Sequence, residues 1–247
     1  SGLLVVRDGG TIRGFASAGV GKPGENGDPG KGAIGFLLYE RGNRTSGQTI
    51  VDAAREFIFE RTDGPIGAFH QDHRFPAYHL PHAYCSDALD HVQALLQLNG
   101  YHKNSGEVYL LWEDYDLRPP RECEVEAEIH VAWKDGTDGL AGLTIQAIRE
   151  GKVIGECEHQ CPMEESGQPS LGSPAFCTWL GVTDQYQGRG LGHHLLRRAL
   201  VEIRSRGFRD VAISTAWDNH RAFVFYSNFG YRAVDWTYGF ERSAPLR

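Results

Sequence analysis

The chain has 247 residues, enough for one large domain or two small ones with buried cores. Hydrophobic residues make up 40% of the sequence and charged residues 23%, an ordinary globular composition that argues against disorder. The formal net charge of −7 gives no electrostatic reason to expect binding to nucleic acid or to anionic membranes.

The apolar runs and the cysteines predict the compartment. No run is long enough to span a bilayer, and the first residues lack the basic start and long apolar stretch of a signal peptide. The five cysteines are odd in number and scattered, which is typical of reduced thiols. We therefore expect a cytoplasmic protein with no membrane partner.

The first half of the chain begins with strand and turn signals. Residues 3–18 form two apolar runs around a glycine turn, which predicts a β-hairpin. A glycine-rich loop follows at 19–32, and then a short apolar strand at 33–39. A stripe of apolar residues then predicts a helix: Ile50, Ala54, Phe57 and Ile58.

The stretch Phe69–His82 carries residue types that bind metals. Its histidines come before Cys85 in the order His70, His73, His79 and His82. Pro76 and Pro81 interrupt any helix that could align them, and the spacing matches no standard zinc pattern. We predict no metal site here, and interpret these histidines as lining a substrate pocket or a surface loop.

The second half repeats the plan of the first. When Gly14 is placed over Gly155, Gly47 falls on Gly188 without a gap, and both copies end on a Gly-Tyr pair. The polar, Pro-rich segment 114–122 is typical of a linker, so we expect domains at 1–115 and 116–247. The elements predicted for the second copy are a strand at 124–133, a hairpin at 143–158, a loop at 162–173 and a strand at 175–182.

A glycine loop joins the strand 175–182 to a helix that begins near Leu191. The first N–H groups of a helix have no partners inside it, and the helix dipole adds positive charge there. Glycines at 188, 190 and 192 let a ligand backbone approach closely, which predicts a pyrophosphate site. The spacing is neither that of a dinucleotide fold nor that of a nucleotide P-loop.

Two motifs carry a resemblance to a known family. The run Gln185-Tyr186-Gln187-Gly188-Arg189-Gly190 resembles the Q/R-x-x-G-x-G/A signature of the GNAT acyltransferases. The second GNAT signature is similar to a strand at 210–215, Asn219, and a helix that holds Tyr226 and ends before Gly230-Tyr231. The resemblance covers 140–241 and implies an α+β fold. We expect two GNAT-like domains, each with a central, mixed and mostly antiparallel sheet flanked by helices.

The resemblance also implies roles for individual residues. The strand backbone would pair with the pantetheine arm of acetyl-CoA at Leu180, Gly181 and Val182. Backbone N–H groups would hold the pyrophosphate at Gln187, Gly188, Arg189, Gly190, Leu191 and Gly192. Asn219 would cap its helix and touch the pantetheine, and Tyr226 would protonate the leaving thiolate. The alternatives are a purely structural loop, a solvated Arg189, an Asn219 that is only an N-cap, and a Tyr226 that belongs to the core.

The function implied by the resemblance is transfer of an acetyl group from acetyl-CoA to the amine of a small molecule. Two other functions stay open: a CoA-binding sensor or scaffold without turnover, and an acetyltransferase acting on protein N-termini or lysines. A homodimer is compatible with all three.

Two features of the sequence depart from the family pattern. The carboxylate base found on the central strand of many GNAT enzymes is missing, because Phe176 and Cys177 stand there. A bound water chain is one replacement, and side chains of the preceding strand are others: Glu156, Glu158 and His159. When the Gly-Tyr pairs that end the two copies are aligned, Leu89 of the first copy falls on Asn219 and Leu96 on Tyr226. In the glycine signature, Thr49 of the first copy replaces the last small residue. We therefore expect the first copy to be inactive.

Overall fold

A computed structural model describes most of the chain. The described residues are 1–21, 30–69, 84–117, 123–135, 139–164, 169–170 and 172–244. The chain divides into two compact units. The first unit consists of Ser1–Val108, Ala216–Asn219 and Asp235–Arg247, and the second of Tyr109–Thr215 and His220–Val234. The expected domain boundary after residue 115 stays a prediction.

The described residues of the first half form two α-helices and six strands. Their bounds are β1 Gly2–Asp8, β2 Thr11–Val20, β3 Gly32–Tyr39, α1 Arg44–Phe59, β4 Ile66–Ala68, β5 Cys85–Ser86, α2 Asp90–Leu98 and β6 His102–Trp112. The predicted hairpin is confirmed, because β1 and β2 pair antiparallel around a Gly9-Gly10 turn. The predicted helix begins earlier than its apolar stripe, at Arg44.

The second half contains the other elements. They are β7 Glu128–Lys134, β8 Leu140–Arg149, β9 Lys152–Pro162, β10 Ala175–Val182, α3 Leu191–Ser205, β11 Val211–Ala216, α4 His220–Phe229 and β12 Arg232–Arg242. Strand β10 has the predicted bounds, and β8 and β9 form the predicted hairpin. Strand β7 begins four residues later than predicted, at Glu128 instead of residue 124.

The two halves share one order of strands and helix. In the first, β1, β2 and β3 are antiparallel neighbours, and β3 pairs parallel with β4 after the crossover helix α1. In the second, β8, β9 and β10 are antiparallel neighbours, and β10 pairs parallel with β11 after α3. The predicted α+β fold with mixed, mostly antiparallel sheets is confirmed. Both helices bury one apolar stripe, as the period of the sequence requires.

The start of the expected linker is anchored inside the second unit. Tyr115 is fully buried, and its hydroxyl donates to the carbonyl of Leu200 over 2.8 Å. The backbone N–H of Tyr115 donates to the carbonyl of Arg209, whose guanidinium pairs with the Asp114 carboxylate at 2.8 Å. The interpretation of Asp114 and Tyr115 as linker is therefore wrong. Their partners lie far along the sequence, where local composition gives no signal.

No helix among the described residues is long and apolar enough to cross a membrane.

Candidate active site

Strands β10 and β11 stop pairing and separate within the second unit. They pair in parallel over three residues only, Ala175–Cys177 with Val211–Ile213. Strand β10 continues to Val182 and stays paired on its other side with β9. Past Cys177, the β11-facing edge of β10 therefore pairs with no strand of the described chain. Such an edge can bind an extended ligand as an added strand, and it includes Leu180, Gly181 and Val182.

The loop after β10 leads into a helix end suited to an anion. Gly188 and Gly190 adopt left-handed conformations, with φ of 76° and 85°, which side chains disfavour. Gly190 is the N-cap of α3, so no side chain of that residue accepts from the first N–H groups of the helix. Gly188, Arg189 and Gly190 are exposed. Together with the helix dipole, this end can bind a phosphate group.

Gln187 holds the loop in place through its side-chain amide. Its Nε2 donates to the carbonyl of Val182 over 2.9 Å and to Oδ1 of Asp184 over 3.0 Å. Its Oε1 accepts from the guanidinium of Arg221 over 3.1 Å. The side chain therefore fixes the loop against the end of β10, and the backbone N–H of Gln187 donates to the carbonyl of Asp184 over 3.2 Å.

Tyr226 lies on α4 and is buried. Its ring meets those of Phe225 and Tyr231 edge to face, with centroids 5.3 and 6.0 Å apart. Burial raises the pKa of Tyr226 well above its usual value, and charge on Cys177 and Cys157 raises it further. The phenol therefore keeps its proton at neutral pH, as a proton donor must. Asn219 directly precedes α4, and its N–H donates to the carbonyl of Ala216.

The corresponding helix end in the first unit is built differently. The side chain of Asn43 caps α1 by accepting from the N–H of Ser46 over 3.1 Å. Gly47 is buried, and a Cβ there would lie 2.9 Å from Leu95 and Tyr39. Leu96, aligned with Tyr226, is a core residue. This glycine is needed for packing and does not open the helix end to a ligand.

The candidate bases on β9 lie on two faces. Glu156 and Glu158 are half-buried, and the side chain of Glu156 accepts from Gln146 on the neighbouring strand. His159 has the opposite orientation, because side chains alternate along a strand, and it is 2% exposed. It meets Cys157 and Cys177 in a buried group that sequence reasoning missed. The histidines at 70, 73, 79 and 82 lie outside the described residues.

Cys177 occupies the position where a carboxylate is missing. Burial disfavours its thiolate, but hydrogen bonds with Cys157 and with the imidazole of His159 outweigh that cost and hold the pKa of Cys177 below its usual value. The two-residue period of β9 could have shown that Cys157 and His159 share a face. Only the register with β10 brings Cys177 opposite His159.

A profile described as "Acetyltransferase (GNAT) domain" matches residues 128–233. The chain carries a GNAT acetyltransferase domain. This domain spans β7 to β11 and α4, and so includes the parted strands, the glycine loop and Tyr226.

Solved structures with the same fold match almost the whole chain. A tandem GNAT protein from the clavulanic acid biosynthesis pathway is 16% identical, with a TM-score of 0.67, over 98% of this chain and 82% of its own. A GCN5-related N-acetyltransferase from Sphaerobacter thermophilus is 14% identical, with a TM-score of 0.61, over 96% and 78%. A glucosamine N-acetyltransferase region of a fungal multi-domain GH3 β-N-acetylglucosaminidase is 16% identical, with a TM-score of 0.65, over 96% of this chain and 32% of its own. At these identities the likeness establishes the fold.

Proposed function

We propose that this protein transfers an acetyl group from acetyl-CoA to the amine of a small molecule, at a site in its GNAT domain. The observation that carries the proposal is the separation of β10 from β11 after Cys177, directly before the glycine loop that opens α3. A free strand edge followed by an open helix N-terminus suits a ligand with an amide-bearing arm and a pyrophosphate.

The binding residues follow from this arrangement. The backbone of Leu180, Gly181 and Val182 would pair with the pantetheine arm. The pyrophosphate would lie against the N–H groups of 188–192. The expected contact with the N–H of Gln187 is corrected, because that group donates to the carbonyl of Asp184, and Gln187 would brace the loop through its side chain. Asn219, at the start of α4, would contact the pantetheine. Glycine at 188 and 190 allows the left-handed backbone that the loop adopts before α3.

The chemistry needs orientation and one proton donor. The site would hold amine and thioester in contact, which converts a bimolecular reaction into an intramolecular one. A bond forms between the amine nitrogen and the acetyl carbon, the carbon–sulfur bond breaks, and the nitrogen loses a proton to water. Tyr226 would give its hydroxyl proton to the departing thiolate and regain one from solvent, and its phenol is protonated at neutral pH, as this role requires.

A small amine is the acceptor that we favour. The structural relative described as a glucosamine N-acetyltransferase region shows that this fold can serve an amino sugar. The net charge of −7 also suits a cationic acceptor.

Acetyl-CoA with a panel of amines tests the proposal. The panel contains amino sugars, polyamines, amino acids, and peptides with a free N-terminus or a lysine. We expect release of free CoA thiol and a mass gain of one acetyl group on a small amine. Acetylation confined to the peptides would replace the small-molecule acceptor by a protein one. Binding of acetyl-CoA without thiol release in any mixture would contradict catalysis and favour a sensor.

A further inference from the structure

Three side chains that bind soft metals meet in the core of the second unit. Cys157, His159 and Cys177 each offer a ligand atom, and these atoms all lie within 4.8 Å of one another. None of the three residues is more than 2% exposed. We name them the Cys157–His159–Cys177 cluster.

Strand geometry brings the cluster together. Cys157 and His159 are two residues apart on β9, so their side chains lie on one face of the sheet. Cys177 on β10 is the register partner of His159, and a bulge follows directly after it. Bulges re-aim side chains at functional sites. Two well-paired strands therefore hold the three groups, and no loop is needed to assemble them.

The polar atoms of the cluster are poorly satisfied by protein. The Nε2 of His159 is buried with no hydrogen-bond partner among the described residues. Its Nδ1 lies 3.7 Å from the Cys157 sulfur, the imidazole also interacts with the Cys177 thiol, and that thiol donates to the carbonyl of Trp179 over 3.4 Å. Thiols are weak hydrogen-bonding groups. The hydroxyl of Tyr231 is also buried with no hydrogen-bond partner among the described residues. It lies close enough to Cys157 and Cys177 for negative charge on either sulfur to raise its pKa. Buried polar groups normally have strong partners, and the ring atom that faces the Cys157 sulfur, Nδ1, has only weak thiol contacts.

We propose that the Cys157–His159–Cys177 cluster binds a soft divalent metal ion of the zinc class. Two thiolates and one imidazole are a ligand set that zinc uses, and they disfavour hard cations such as magnesium. Zinc–sulfur bonds of about 2.3 Å and zinc–nitrogen bonds of about 2.0 Å place tetrahedral ligand atoms roughly 3.5–3.8 Å apart. The distance of 3.7 Å between Cys157 Sγ and His159 Nδ1 fits this range. Binding releases the two thiol protons to solvent.

The proposal is independent of acetyl transfer. Metal binding at the cluster requires no substrate, and the experiment detects the bound metal directly. A buried site fills most readily while the chain folds, because ligands and metal then meet before the core closes. The metal is therefore supplied during synthesis of the protein.

The experiment replaces zinc by Co(II), whose thiolate complexes absorb in the near ultraviolet. The full chain is produced in medium containing Co(II) and purified under reducing conditions. We expect about one cobalt per chain, charge-transfer absorption from two thiolates, and displacement by Zn²⁺. Cys157→Ala and Cys177→Ala should each abolish the thiolate absorption. Cys161→Ala is the matched control, because Cys161 is buried on the same face of β9 but lies outside the cluster.

Two results would overturn the proposal. One is a native protein that carries no cobalt or shows no thiolate absorption. The other is absorption that survives in Cys157→Ala and Cys177→Ala. Should these variants fail to fold, X-ray absorption at the cobalt edge of the native protein decides. Two sulfur ligands and an imidazole nitrogen support the cluster, and a shell of oxygens refutes it.

Discussion

Gly190 gives the sharpest test of the proposed pyrophosphate site. Its φ of 85° is left-handed, and Gly10 in the β1–β2 turn has a similar φ of 88° with open space around its position. Valine at either position strains the backbone by at least about 1–2 kcal/mol. For a chain of this size, each kilocalorie lowers the melting temperature by about 2–4 °C. Gly10→Val therefore controls for strain, because it belongs to the first unit and caps no helix.

The two variants should differ in their response to acetyl-CoA. A ligand at 100 times its Kd stabilises a protein by about 2.7 kcal/mol, which raises the melting temperature by roughly 5–11 °C. A valine side chain at Gly190 would hold the diphosphate away from the N–H groups of α3. Loss of one hydrogen bond to a charged group weakens binding roughly 10- to 150-fold. A 100-fold weakening would leave about 0.4 kcal/mol, a shift of only about 1–2 °C.

Differential scanning fluorimetry with and without acetyl-CoA measures both effects, and calorimetry supplies the Kd. We expect native protein and Gly10→Val to keep the full shift, and Gly190→Val to lose most of it. A folded Gly190→Val variant with the native shift, or a Gly10→Val variant that loses it, would refute the assigned site.

Three further predictions use the contacts of single side chains. Calorimetry should find one acetyl-CoA per chain, because Asn43 already caps the helix end in the first unit; two equivalent sites would show that the first copy also binds. Gln187→Ala should raise the Kd for acetyl-CoA several-fold with little change in melting temperature, because it frees the loop from Val182 and Asp184; an unchanged Kd would remove Gln187 from the site. Tyr115→Phe should lower the unfolding free energy by about 0.5–1.5 kcal/mol, because it removes the hydrogen bond from the Tyr115 hydroxyl to the Leu200 carbonyl, and a melting temperature equal to that of the native protein would contradict the role of Tyr115 as an anchor.

Local patterns predicted the elements that carry the site. Alternation and period predicted the hairpins, β10 and the helix that begins at Leu191, because one face of each is buried against its neighbours. The glycines Gly188 and Gly190 predicted a loop, because few other residues adopt the left-handed conformation that both have in the structure. The cap of α1 by Asn43 was also predictable from the sequence, since Asn is a favoured N-cap residue.

Long-range contacts were beyond the sequence pattern. Tyr115 looked like part of a linker, because its partners Leu200 and Arg209 are distant in the chain. The Cys157–His159–Cys177 cluster depends on the register of β9 with β10 and on a bulge after Cys177. No period within either strand fixes that register, so the meeting of the three side chains could be seen only in the fold.

The role of Tyr226 in acetyl transfer is tested most directly by kcat at saturating substrates, with Tyr226→Phe and Tyr115→Phe compared side by side. Each change deletes one buried hydroxyl from the second unit and keeps its ring. We predict that Tyr226→Phe binds acetyl-CoA normally but loses about 10²–10⁴ in kcat, towards the lower end because thiolate is a good leaving group. Tyr115→Phe should lose stability and keep kcat. A folded Tyr226→Phe variant with native kcat, in an assay where chemistry limits the rate, would contradict the account.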